Sequence, residues 1–151
     1  MTNNSCTISL RVPVEVRHSL ERMARRFGRT LGEIGSRMVE EQVRMVEFAG
    51  IEFRDTAGGR EVFIRGTRVK IWMVLKVARQ FAGDVNKTAT HFGVTTAQIM
   101  AALNYAEAFP DEIEAAIQDN ESMTFGTLKR LLPGITRSEP ESGIHKQRKT
   151  K

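Results

Sequence analysis

Residues Thr7-Ile8-Ser9-Leu10-Arg11-Val12-Pro13 constrain the fold of this chain more than any other stretch. Thr7, Ser9 and Arg11 alternate with Ile8, Leu10 and Val12. Strict period-2 alternation is the pattern of a strand with one face buried. Pro13 cannot donate to a ladder and ends the run. Two helical patterns follow at once, so no second strand lies nearby. A lone strand has nothing to pair with and is not stable. The economical partner is the same strand of a second copy. Two such strands form an antiparallel ribbon with a repeated polar Thr-Ser-Arg face, and a ribbon of that kind fits the DNA major groove.

After Pro13 the apolar residues Val16, Leu20, Met23, Ala24 and Phe27 mark one face of a helix. Arg17, Glu21, Arg22, Arg25 and Arg26 mark the other. Gly28 supplies the left-handed stop. Thr30-Leu31-Gly32-Glu33 reads as a capping box opening a second helix, whose apolar residues are Leu31, Ile34, Met38 and Val39. About forty residues make too small a core to stand alone, so dimerisation is expected.

The run TISLRVPVEVRHSLERMARRFGRTLGEIGSRMVEE resembles the ribbon-helix-helix family of dimeric repressors of the Arc and MetJ type, to which many bacterial antitoxins belong. The resemblance covers residues 7 to about 48. It implies that Thr7, Ser9 and Arg11 face base edges. It also implies that the first turn after the Thr30 cap, through the backbone amides of Leu31 and Gly32, holds a phosphate, since unpaired N–H groups and the dipole favour an anion at a helix start. Gly32 stands where the family usually has a small polar residue.

The formal charge of +5 and an isoelectric point near 9.8 suit a polyanionic partner. Cys6 is the only cysteine, which excludes a disulfide framework and a Cys-x-x-Cys metal knuckle. No stretch approaches the ~18 apolar residues that cross a bilayer, and the polar start does not read as a signal peptide. A cytoplasmic protein without membrane partners is expected.

A second module is expected over residues 51–120. Ala57-Gly58-Gly59 separates Ile51–Arg54 from Glu61–Arg65 and predicts a β-hairpin. Gly66-Thr67 ends it. Ile71, Val74, Leu75, Ala78 and Phe81 predict a helix between Val69 and Phe81. From Asn86 to Ala106 the chain reads as helix-turn-helix. Ala89 is the small residue at the crossing, Phe92 lies beneath it, and Gly93 makes the turn. Val94 plugs the turn, Thr95 or Thr96 caps, and Ile99, Ala102 and Leu103 are buried. Pro110 opens a further helix, with Asp111, Glu112 and Glu114 at its start and Ile113 and Ile117 inside. The recognition positions of the helix-turn-helix would be Thr96, Ala97, Gln98, Met100, Ala101 and Asn104. None is basic, and residues 49–120 carry eight Lys/Arg against nine Asp/Glu. Gln98 and Asn104 suit adenine, but the charge favours a protein partner or self-association over DNA.

Residues 51 to about 118 resemble a small winged-helix-like family found in VapB-type antitoxins. The matching motifs are Ile64-Arg65-Gly66-Thr67-Arg68-Val69, Ala102-Leu103-Asn104-Tyr105 and Pro110-Asp111-Glu112-Ile113. Glu61-Val62-Phe63 departs from the family's shorter, proline-containing link, which leaves the hairpin register open. The resemblance implies a PIN-like nuclease toxin as partner. Gly66 would permit a tight turn and Thr67 would cap the next helix. Arg68 either binds a carboxylate, within the domain or across a dimer, or simply completes the turn.

Residues 121–151 hold seven Lys/Arg and three Asp/Glu. Met123, Leu128, Leu131 and Leu132 predict a short amphipathic segment, and they are the apolar candidates for toxin binding. The Ser138–Gly143 stretch has a disorder-type composition, and the end is basic. No catalytic constellation, phosphate loop or metal motif is visible, so neither enzyme activity nor a cofactor is expected. His18, His91 and His145 lie in separate segments, and Glu40, Glu41 and Glu47 read as a solvated helix face.

The expected fold is therefore mainly α with short β. An intertwined ribbon-helix-helix dimer over residues 1–48 precedes a helix-turn-helix module with a hairpin over 51–120, and then the tail. The expected function is a homodimeric antitoxin, able to form higher oligomers, that binds operator DNA as an autorepressor and neutralises a nuclease. The rival is a stand-alone dimeric transcription regulator.

Overall fold

The structure is a computed structural model that describes residues 6–56 and 58–123. It is mainly helical, with one two-stranded antiparallel sheet. The elements are α1 (Val14–Phe27), α2 (Leu31–Glu47), β1 (Ile51–Thr56), β2 (Gly59–Ile64), α3 (Ile71–Gln80), α4 (Val85–Phe92), α5 (Thr96–Ala108) and α6 (Pro110–Ser122). Two compact units part between Ala108 and Phe109.

In the first unit, α1 ends where Gly28 turns left-handed at φ 60°, and its amide donates to the carbonyls of Ala24 and Arg25. Only glycine takes that conformation at little cost. The capping box exists as drawn from sequence. The Thr30 amide donates to the Glu33 carboxylate at 2.7 Å, and the Glu33 amide donates to the Thr30 hydroxyl at 3.2 Å.

The hairpin pairs Ile51 with Ile64, Phe53 with Val62 and Thr56 with Gly59, so Arg54 sits opposite Glu61. This is the register the sequence left open. A bridge between Phe63 and Lys70 adds a further rung. Val62, Phe63 and Ile64 are all buried, because β2 packs against both α3 and α5.

α3 starts at Ile71, two residues later than the apolar pattern suggests. Thr67 does not cap it. Its hydroxyl donates to the Ile64 carbonyl at 2.9 Å and accepts from the Val69 amide at 3.0 Å, closing the turn before the helix. Two helices joined by a glycine turn follow: Asp84 caps α4, Gly93 turns at φ 65°, and α5 begins at Thr96. Ile51, Ile64, Ile71, Val74, Ile99 and Tyr105 are at most 1% exposed and form the core with Thr88, Ala89 and Ala102.

In the second unit, Pro110 occupies the first turn of α6 with Asp111 and Glu112, and Ile113 and Ile117 are buried. No helix among the described residues is long and apolar enough to cross a membrane.

Candidate nucleic-acid interface

Residues 6–13 have no regular secondary structure in the single chain. The strand expected at Thr7–Val12 is absent here because a lone extended segment has no ladder to join. Thr7, Ser9 and Arg11 are exposed, but so are the residues of the supposed inner face: Ile8 is 72%, Leu10 64% and Val12 45% exposed.

The same imbalance continues along the helices. On α1, Ala24 is buried, yet Val16 and Phe27 are not. On α2, Ile34 is buried, while Leu31, Met38, Val39, Val43 and Val46 are exposed. Met38, Val39, Val43 and Val46, with Gln42 and Glu47, line an open groove of about 590 Å³. The spacing of these residues places them on one side of the helix.

The other side of α2 is taken. Glu41, expected on a solvated face, is 9% exposed. Its carboxylate accepts from Arg60 Nε at 2.9 Å and Arg60 Nη2 at 2.5 Å, a forked pair. The guanidinium of Arg60 is held above its ordinary pKa chiefly by that bond. One turn on, Arg44 Nη1 donates to the hydroxyl of the fully buried Tyr105 at 2.9 Å. Phe48 and Phe53 meet the Tyr105 ring edge-on, with centroids 5.4 and 6.3 Å away. Nothing in the sequence announces the Glu41–Arg60 pair, which joins residues nineteen positions apart. The Tyr105 bond spans sixty-one.

At the start of α2 the capping box satisfies the amides of Thr30 and Glu33, and Ile34 N donates to the Thr30 carbonyl. The amides of Leu31 and Gly32 have no partner among the described residues and are available to an anion. A Cβ on Gly32 would meet nothing within 4 Å, so no packing forbids a larger residue there. The Glu33 carboxylate is held below its ordinary pKa, first by the Thr30 amide, then by the Thr30 hydroxyl, with Arg29 adding to both.

Along α1 the basic side chains are exposed. Arg22 donates to Ser19 at 2.8 Å, Arg17 pairs with Glu21 at 3.0 Å, and Arg25 and Arg26 are open to solvent. Residues 7–32 hold six arginines and two glutamates.

The polar groups at the start of α5 are engaged locally. Thr95, not Thr96, caps α5, and Gln98 closes a second capping box. The Gln98 side-chain oxygen accepts from the Thr95 amide and hydroxyl at 2.9 and 3.1 Å, so it is not turned toward a base. Ala101 lies 3.6 Å from where a Cβ on Gly50 would stand and is half-buried. Thr96, Ala97, Met100 and Asn104 remain exposed. His91 stacks edge-on against Phe81 and Phe92. Phe92 is half-buried beside the buried Ala89.

Of the apolar candidates for toxin binding, Met123 is 42% exposed just after α6, and Leu128, Leu131 and Leu132 lie outside the described residues. No group of three or more His, Cys, Asp or Glu among the described residues could hold a metal ion. No family model, curated protein or solved structure matches the chain.

Proposed function

We propose that this protein is a homodimeric antitoxin of the ribbon-helix-helix type, which represses its own promoter and restrains a PIN-like nuclease. The observation that carries the DNA-binding half is the exposed apolar surface of Ile8, Leu10 and Val12, together with the outer face of α2. A monomer gains nothing from leaving that much apolar side chain in water. A second copy covers it and gives residues 7–12 the ladder partner they lack. Pairing then turns Thr7, Ser9 and Arg11 outward as a doubled polar row. The free amides of Leu31 and Gly32 and the arginines of α1 supply phosphate contacts that fix the register.

The nuclease-restraining half rests on the resemblance of residues 51–118 to VapB-type antitoxins. It is supported by the near-neutral charge of that module and by the use of Gln98 as a cap. Repression and neutralisation are then thermodynamically linked, because a partner that favours the DNA-competent state tightens DNA binding reciprocally.

Arg11→Ala tests the reading. Arginine can grip guanine through two bonds, a contact worth ~1–3 kcal/mol of discrimination. Fluorescence anisotropy with the protein's own promoter and a scrambled duplex should show selectivity lost and the melting temperature unchanged. Equal selectivity in variant and parent would remove the ribbon as the reader. A chain that binds its promoter but not the nuclease encoded beside it would be a stand-alone regulator.

A further inference from the structure

We propose that Arg65 and Arg68, displayed on the turn between β2 and α3, form a docking surface for a carboxylate-bearing protein. The inference deepens the antitoxin reading and rests on it: the partner is the nuclease.

The turn is unusually well determined. Ile64 N donates to the Val69 carbonyl at 2.9 Å, Arg65 N to the Gly50 carbonyl at 2.8 Å, and Thr67 N to the Ile64 carbonyl at 3.1 Å. Gly66, at φ 75°, donates its amide to Glu52 Oε1 at 3.0 Å. The Thr67 hydroxyl adds one bond to Ile64 and accepts one from Val69. Six bonds therefore hold a six-residue segment. Its two arginines are exposed all the same.

The neighbouring arginines are occupied. Arg54 pairs with Glu52, Arg60 with Glu41 and Asp55, and Arg79 has partners of its own. Arg65 lies close enough to Glu52 to add slightly to the lowering of its pKa. Neither Arg65 nor Arg68 has a carboxylate within ion-pair distance among the described residues. The fixed backbone holds the two guanidinium stems in a constant relation, so an anion that binds both has only the side chains to order.

Placement decides which anion. The Arg65 amide is bonded to Gly50, just past the C-terminal end of α2. The free amides of Leu31 and Gly32 are at the opposite end of that helix. Seventeen residues at a rise of about 1.5 Å put roughly 25 Å between the two. A surface so far from the phosphate-facing end, in a module with more acidic than basic residues, suits short-range contact with protein carboxylates better than operator DNA.

The test uses the full chain and the purified product of the gene adjacent to its own, titrated by calorimetry. Arg65→Glu with Arg68→Glu should weaken the complex more than tenfold, while promoter binding and the melting temperature stay at parent values. Arg65→Gln with Arg68→Gln should weaken it less, and it provides the reading if the acidic pair melts early. Unchanged affinity in both variants overturns the docking surface and leaves the antitoxin reading standing. Equal loss of promoter binding also overturns it, by giving the arginines to DNA. Failure of the parent chain to bind the nuclease at all overturns the antitoxin reading and this surface together.

Discussion

The two sides of α2 belong to different kinds of structure. Residues 51–108 close on themselves: Ile51, Ile71, Val74, Ile99 and Tyr105 are sealed from solvent, and the carboxylate that enters this region, Glu41, is met by Arg60. Residues 6–47 do not close. They bury Ala24 and Ile34 and leave Ile8, Leu10, Val39, Val43 and Val46 in water. A small domain becomes self-sufficient only when its elements can cover one another's apolar faces. The hairpin and α3–α5 achieve this within one chain. Two helices and an extended arm do not. α2 takes part in both, with one side bonded in cis to the hairpin and Tyr105 and the opposite side left open.

The largest contrast is expected from truncating one apolar residue in each region. Ile99→Ala removes a fully buried side chain and should cost ~2–5 kcal/mol at any protein concentration. Leu10→Ala should cost a similar amount per chain, but through association. Its melting temperature should approach that of the parent as both are diluted below the dimer's dissociation constant. Thermal melts over a hundredfold dilution range, with sedimentation velocity, separate the two. If Leu10→Ala behaves like Ile99→Ala, with no concentration dependence, the open face is not a dimer face.

A smaller effect is expected where the regions meet. Arg60→Ala takes the forked partner from the buried carboxylate of Glu41 and leaves it only Arg37 Nε, 3.9 Å away, a loss of about 1–3 kcal/mol. Adding Glu41→Ala should recover part of this, since the under-partnered charge is then gone. A urea-unfolding double-mutant cycle measures the coupling. Simple additivity would mean that the pair does not join α2 to the hairpin.

The smallest effect lies at the start of α2. Thr30→Ala removes the cap and should cost about 1 kcal/mol. The same site is sensitive to pH. The folded-state pKa of Glu33 lies below its ordinary value of 4.5. Its contribution to stability is therefore fully present above pH 4.5 and is lost as pH falls through the lowered folded value. Glu52 and Asp84 shift the same way, Glu52 chiefly through the Gly66 amide and Asp84 chiefly through the Lys87 amide. The protection of the Thr30 and Glu33 amides, taken as exchange relative to the intrinsic rate at each pH, should fall in the parent between pH 6 and 3. Thr30→Ala should be weakly protected already at pH 6 and nearly flat. A parallel fall in both would assign the pH response to other carboxylates.

What the sequence alone determined is local. The stop at Gly28, the Thr30–Glu33 box, the hairpin about Gly58-Gly59, the turn at Gly93 and the helix opened by Pro110 each depend on residues within one turn of each other. Their backbone preferences and caps are short-range, so spacing reveals them. Tertiary structure decided everything that depends on what lies opposite. It took Glu41 from a solvated face to a buried pair with Arg60, gave the hydroxyl of Tyr105 to Arg44, and spent Gln98 on a cap. It also showed which apolar residues stay uncovered. Burial and ion pairing depend on distances between parts of the chain nineteen or sixty-one residues apart, and no periodicity within either segment encodes them. The arm at residues 7–12 is the limiting case: its alternation is plain in the sequence, but a strand needs a second segment to pair with, and no described segment of the chain pairs with it.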